Sequence, residues 1–125
     1  MSRIAAAANL LVMTCHDASV ANGWWHDLKT GESLLRERNM VPTKLALIHS
    51  EISEALEGDR KNKMDDHLPN RKMVEVELAD AVIRICDLAG AMGLDLGGAI
   101  EEKMNYNSTR KDHKRESRID NGKKY

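Results

Sequence analysis

Apolar side chains recur at helical spacing along most of this chain and predict four main helices. Ile4, Ala8, Leu11, Cys15 and Ala18 carry the first, expected over residues 4–22 and ending at Asn22-Gly23, where glycine can take left-handed backbone. From Gly23 to Val41 the period is lost, and with Gly31 and the pair Trp24-Trp25 the stretch reads as a loop holding at most a helical turn near Leu34 to Arg38. Irregular stretches of that length in small domains are usually functional or mobile. Pro42 suits the first helical position, so a second helix is expected from about residue 43 to 60. Its Leu45, Ile48, Ile52, Ala55 and Leu56 share one arc, the expected buried face, and Glu51 and Glu54 border it. A charged connector containing Pro69 leads to a third helix over about 71–92. Gly93 ends that helix, Asp95 caps a fourth running from Leu96 to about residue 114, and the polar tail over 116–125 is expected to fray.

The third helix is the most informative. Glu77, Asp80, Arg84 and Asp87 form one narrow stripe, while Val74, Val76, Leu78, Val82, Ile83, Ile85 and Leu88 cover most of the remaining circumference. A helix apolar nearly all round is buried, so its acids must face a charged partner or an internal cleft. So few helices cannot cover it on every side, which predicts a homodimer or homotetramer.

Composition agrees with packed helices. Phe is absent, aromatic residues make up 3% and Met occurs seven times, which leaves Leu, Ile, Val, Ala and Met for the core. At 125 residues the chain is expected to be one all-α, four-helix-bundle-like domain with its core over 4–115. The formal charge of −1 gives no general attraction to nucleic acid or membrane. Cations gather after Lys103, but Asp112, Glu116 and Asp120 dilute them, which argues against nucleic-acid binding. Cys15 and Cys86 have no metal-type spacing and read as reduced thiols. The Ala-rich start is interrupted by Asn9, Thr14, His16 and Asp17, so it is expected to be neither signal nor membrane span, and the protein to be cytoplasmic.

Chemistry enters with the carboxylates. Glu51 and Glu54 are spaced i, i+3 on the second helix, and so are Glu77 and Asp80 on the third; such neighbours point the same way with Cβ atoms roughly 5–6 Å apart. Antiparallel packing of the two helices would assemble an all-oxygen cage. Hard oxygen ligands without thiolate or imidazole suit Mg²⁺, with Mn²⁺ and Ca²⁺ as alternatives. A di-iron carboxylate bundle would need a Glu-x-x-His motif from each of two helices, and the chain has none.

Glu51-Ile52-Ser53-Glu54 followed by Glu77-Leu78-Ala79-Asp80 resembles the ExxE…ExxD signature of the MazG-like all-α nucleoside triphosphate pyrophosphohydrolases. Lys103, Asn107 and Arg110 resemble the family's K-x-x-x-N-x-x-R segment, and Asn121-Gly122-Lys123-Lys124 its basic tail. The chain departs from many relatives at Ser50, where a second acid precedes the first motif glutamate. The resemblance implies Mg²⁺-dependent hydrolysis of a (deoxy)nucleoside triphosphate to the monophosphate and pyrophosphate. It places the metal on Glu51, Glu54, Glu77 and Asp80, with Glu54 doubling as the base that accepts a proton from water. Phosphate contacts fall to Lys103, Asn107 and Arg110, which supply charge and donors, and Arg84 is expected to pair with a carboxylate and hold it. Trp24 and Trp25 resemble a base-binding region of some members. A stacked ring is worth about 1–3 kcal/mol, and one tryptophan is expected to stack while the other packs, with His26 and Asp27 near the base edge. The competing class is a non-catalytic helical interaction module whose acidic stripe and basic tail pair between subunits.

Overall fold

The structure, a computed structural model, describes residues 2–110 and 114–122. It is all-α: α1 Arg3–Ala21, α2 Met40–Arg60, α3 Met73–Ala91, α4 Leu96–Thr109 and a short α5 Arg115–Asn121. Among the described residues there are no strands, only two isolated antiparallel bridges, His26 with Ser33 and Met64 with Lys72, that pin the loops.

Helix ends follow local chemistry. After α1, Gly23 adopts φ +84°, and the Trp24 amide donates to the Ser19 carbonyl, which closes a left-handed cap. After α3, Gly93 at φ +66° lets the Leu94 amide reach the Ala89 carbonyl in the same way. α2 starts at Met40, so Pro42 sits third rather than first, still within the turn whose amides have no intrahelical acceptor. Asp95 caps α4 by accepting from the Gly98 amide at 3.0 Å. α4 stops at Thr109 instead of running to 114, and the expected frayed tail contains α5, capped by Gly122 at φ +70°. Residues 111–113 and Lys123 to Tyr125, which include the two lysines of the tail motif, lie outside the described residues.

Two compact units divide the chain, one of Met1–Asn9 with Asp95–Tyr125, the other of Leu10–Leu94. In the first, Asn9 braces the start of α4. Its Oδ1 accepts from the Gly97 amide at 2.8 Å, and its Nδ2 donates to Asp95 Oδ1 at 3.0 Å.

In the second unit α2 and α3 run antiparallel, with Glu51 against Arg84 at one end and Gly58 against Met73 at the other. Small residues let them approach. Ala55, Ala81 and Ala89 are buried, and a Cβ at Gly58 would stand 2.7 Å from Met73 Cγ. Gly90 admits α1 in the same manner, because a Cβ there would stand 2.6 Å from His16 Cβ. This seam corrects the expected burial of α2. Ile52 is 48% exposed and Leu56 61%, while the inward side of the helix carries Glu51, Ala55 and Gly58. On α3 the inversion repeats: Leu78, Val82, Ile83 and Ile85 are exposed, whereas Glu77 and Asp87 are buried.

By length and composition α1 passes as a membrane span, nineteen residues with a window of mean hydropathy 1.3. Its side chains at His16 and Ser19 are nevertheless committed to hydrogen bonds with Asp87 of α3. No other helix among the described residues is long and apolar enough to cross a membrane.

Candidate metal centre and its flanking cavities

The antiparallel α2–α3 pair sets Glu51 opposite the i, i+3 pair Glu77 and Asp80. One carboxylate oxygen from each of these three lies within 4.8 Å of the others. Glu51 and Glu77 are buried and Asp80 is half-buried. Arg84, one turn beyond Asp80, donates from Nε to Glu51 Oε1 at 2.9 Å, as its place on the acidic stripe suggested. That ion pair holds one carboxylate of the three and neutralises part of their charge.

Glu77 carries the strain of the cluster. Burial, then the adjoining carboxyls of Glu51 and Glu54, push its pKa up from 4.5 to about 8. Asp80 is also raised, first by burial and then by the Glu51 charge, with Arg84 working in the opposite direction. Glu77 Oε2 is buried with no hydrogen-bond partner. A buried oxygen left bare is costly, and a proton or a hard cation removes that cost. The donor set, carboxylate oxygens alone, fits Mg²⁺ or Mn²⁺ better than a soft metal. Glu54 is exposed one helical turn after Glu51 and lies outside the trio of mutually close oxygens.

Two cavities flank this row of acids. The larger, about 560 Å³, has Glu51 and Asp80 in its wall together with Trp24, Lys44, Arg84 and Asp87. The smaller, about 390 Å³, is lined by Glu54 and Glu77 with Glu57, Asp65, Asp66 and His67. Asp65 keeps the connector in shape by accepting from the His67 and Leu68 amides at 2.9 and 2.7 Å.

The tryptophans divide. Trp24 is 66% exposed and faces the larger cavity, so an indole surface is open to a planar ligand. Trp25 is 3% exposed with its indole N–H given to Asp87, which removes it from the ligand-facing set and makes it a packing residue. His26 is tied into its bridge with Ser33, and Asp27 caps a turn by accepting from the Lys29 and Thr30 amides. On α4, Lys103 and Arg110 flank one aromatic ring, the ammonium 4.8 Å and the guanidinium carbon 5.7 Å from the centroid of Tyr106. Asn107 Oδ1, between them in sequence, is buried without a hydrogen-bond partner.

Sequence reasoning passed over Lys44. It stands seven residues before Glu51, hence on the same helical face, and its ammonium lies 4.6 Å from the centroid of Trp25. The same face count applied upstream of the motif would have found it. No family model, curated protein or solved structure matches the chain.

Proposed function

We propose that this protein is a cytoplasmic Mg²⁺-dependent pyrophosphohydrolase that converts (deoxy)nucleoside triphosphates to the monophosphate and pyrophosphate, a MazG-like activity. One observation carries the reading: three carboxylates from two helices converge, with Glu77 Oε2 buried and partnerless. Such an arrangement is expensive for a purely structural site and suits a resident divalent cation. Glu51, Glu77 and Asp80 would hold the ion, with Glu54 completing the set. When bound, the ion neutralises carboxylates and triphosphate oxygens together and makes nearby water more acidic.

The chain's own groups supply the rest. Arg84 fixes the Glu51 carboxylate. Glu54, exposed and lining the smaller cavity, has room to accept a proton from water attacking the α-phosphorus. Trp24 offers its face to the base, and Lys103, Asn107 and Arg110 supply the donors and charge that the resembling motif gives to phosphate. Pyrophosphate release from a panel of canonical and modified nucleoside triphosphates, with Mg²⁺, with Mn²⁺ and with chelator, tests the reading. Metal-dependent release with monophosphate as co-product is expected; no release from any nucleotide would overturn it.

Assembly belongs to the same proposal. Ile52 and Leu56 on α2, with Leu78, Val82 and Ile85 on α3, leave apolar surface in water that a second copy can cover. Light scattering at micromolar concentration is expected to give at least twice the 14.0 kDa chain mass, and a monomeric mass would refute assembly.

A further inference from the structure

Asp87 lies on the acidic stripe of α3 yet takes no part in the carboxylate cluster. Both its oxygens are already engaged. Oδ1 accepts from Trp25 Nε1 at 2.7 Å and lies 2.9 Å from His16 Nδ1, while Oδ2 accepts from Ser19 Oγ at 2.8 Å. The carboxylate therefore ties α1 and the corner that follows it to α3.

Trp25 is held from three helices at once. Asp87 of α3 takes its N–H, His16 of α1 meets it edge-on at 5.9 Å between centroids, and Lys44 of α2 lies over its ring at 4.6 Å. Such contacts fix the indole in position and in rotation. Trp24 is the next residue back, joined through a planar peptide and preceded by the left-handed turn at Gly23, so anchoring Trp25 limits where the exposed Trp24 indole can point. Trp24, Lys44 and Asp87 all line the larger cavity, on whose wall Glu51 and Asp80 also stand.

We infer that Asp87 is a positioning residue for nucleoside recognition: it clamps Trp25 so that Trp24 presents a fixed stacking wall in the cavity beside the metal-binding acids. The inference rests on the pyrophosphohydrolase reading for its substrate and adds where the nucleoside end lies and what holds its wall. Asp87 touches neither metal nor reacting phosphate. Its loss should therefore affect the part of the substrate that carries the base and spare the part that carries the phosphates.

Methyl triphosphate, which has the phosphates and no base, separates the two. Asp87→Asn keeps the side-chain shape but exchanges an acceptor oxygen for a donor among three donors. For nucleoside triphosphates it is expected to lower kcat/KM about tenfold, mostly through KM, the size of losing one stacked base. Turnover of methyl triphosphate and Mg²⁺ affinity measured by calorimetry should stay at wild-type values. Trp25→Phe keeps a ring and removes only the N–H, and the same pattern at smaller size is expected; it decides the matter if the Asp87 variant fails to fold. Equal losses on both substrates, or no loss on nucleotides, would overturn the clamp while leaving the enzyme reading intact. A wild-type protein that turns over neither substrate would overturn both.

Discussion

Glutamine at position 77 is expected to give a folded protein, more heat-resistant than the parent in metal-free buffer above pH 8, that no longer turns over nucleotide. Glu77 is 9% exposed, faces Glu51 and Glu54, and has a pKa pushed up to about 8. Above that pH the parent must keep a carboxylate ionised among other carboxylates in a low-dielectric seam. An amide of the same shape carries no charge and can donate to the neighbouring acids, so the penalty, on the order of a few kcal/mol, disappears. On the proposed reading a bound cation would lose an anionic ligand at the same time, and turnover should fall at least a hundredfold, about the most that loss of even an outer partner costs a metal site. Thermal unfolding with chelator, Mg²⁺ calorimetry and pyrophosphate release measure the three effects separately. Gain in stability with loss of activity is the signature of a site strained for function. A variant that is both inactive and less stable would mean Glu77 is structural, and one that keeps full turnover would remove it from the centre.

The residues of that centre were legible because their spacing is a local property of a helix. Spacing put both members of each pair on one side of its own helix; it did not separate Glu51 from Glu54, and the packing brings together only Glu51, Glu77 and Asp80. Arg84 was legible for the same reason, one turn further along the stripe. The inward side of α2 was not. Of its expected arc Ala55 is buried, but Leu45, Ile52 and Leu56 are exposed, because close approach at Ala55 and Gly58 turns the small-residue side of the helix to the α3 seam. Hydrophobic periodicity reports that a face should leave water, and it is silent on which contact within the chain the small residues will favour. The Trp25 clamp was illegible for a different reason. It joins Ser19, His16, Trp25 and Asp87 across 62 to 71 positions of sequence, and nothing local to any of them announces the others. α5 was missed because a seven-residue helix in a polar tail has too few turns for a period to register.

The second large effect concerns pH and metal together. Glu77 has a folded-state pKa near 8 and an ordinary value of 4.5, so from pH 4.5 to 8 the metal-free native state holds a proton that the unfolded chain has lost. Stability then falls as pH rises, by up to about 1.4 kcal/mol per unit for a single proton, and the group's contribution is whole below pH 4.5 and gone above pH 8. Asp80, shifted in the same direction, adds to the slope from lower pH. Asp27 and Asp95 are shifted down by their turn and cap hydrogen bonds, so their opposite contribution changes only below the ordinary aspartate value of 3.8 and leaves this window alone. On the proposed reading a cation would compete with that proton. Mg²⁺ should therefore bind more tightly as pH rises, release a fraction of a proton on binding at pH 7, and raise the melting temperature more at pH 8 than at pH 6. Calorimetry in two buffers of different ionisation enthalpy counts the released proton, and thermal melts with Mg²⁺ or chelator at both pH values give the stability arm. Glu77→Gln isolates the cause, since it should remove the Glu77 part of the metal-free slope, leaving the part from Asp80, and take away most of the proton release. A Mg²⁺ affinity that does not change between pH 6 and 8 would separate the ion from Glu77, and a slope unchanged by the substitution would assign the pH dependence to another group.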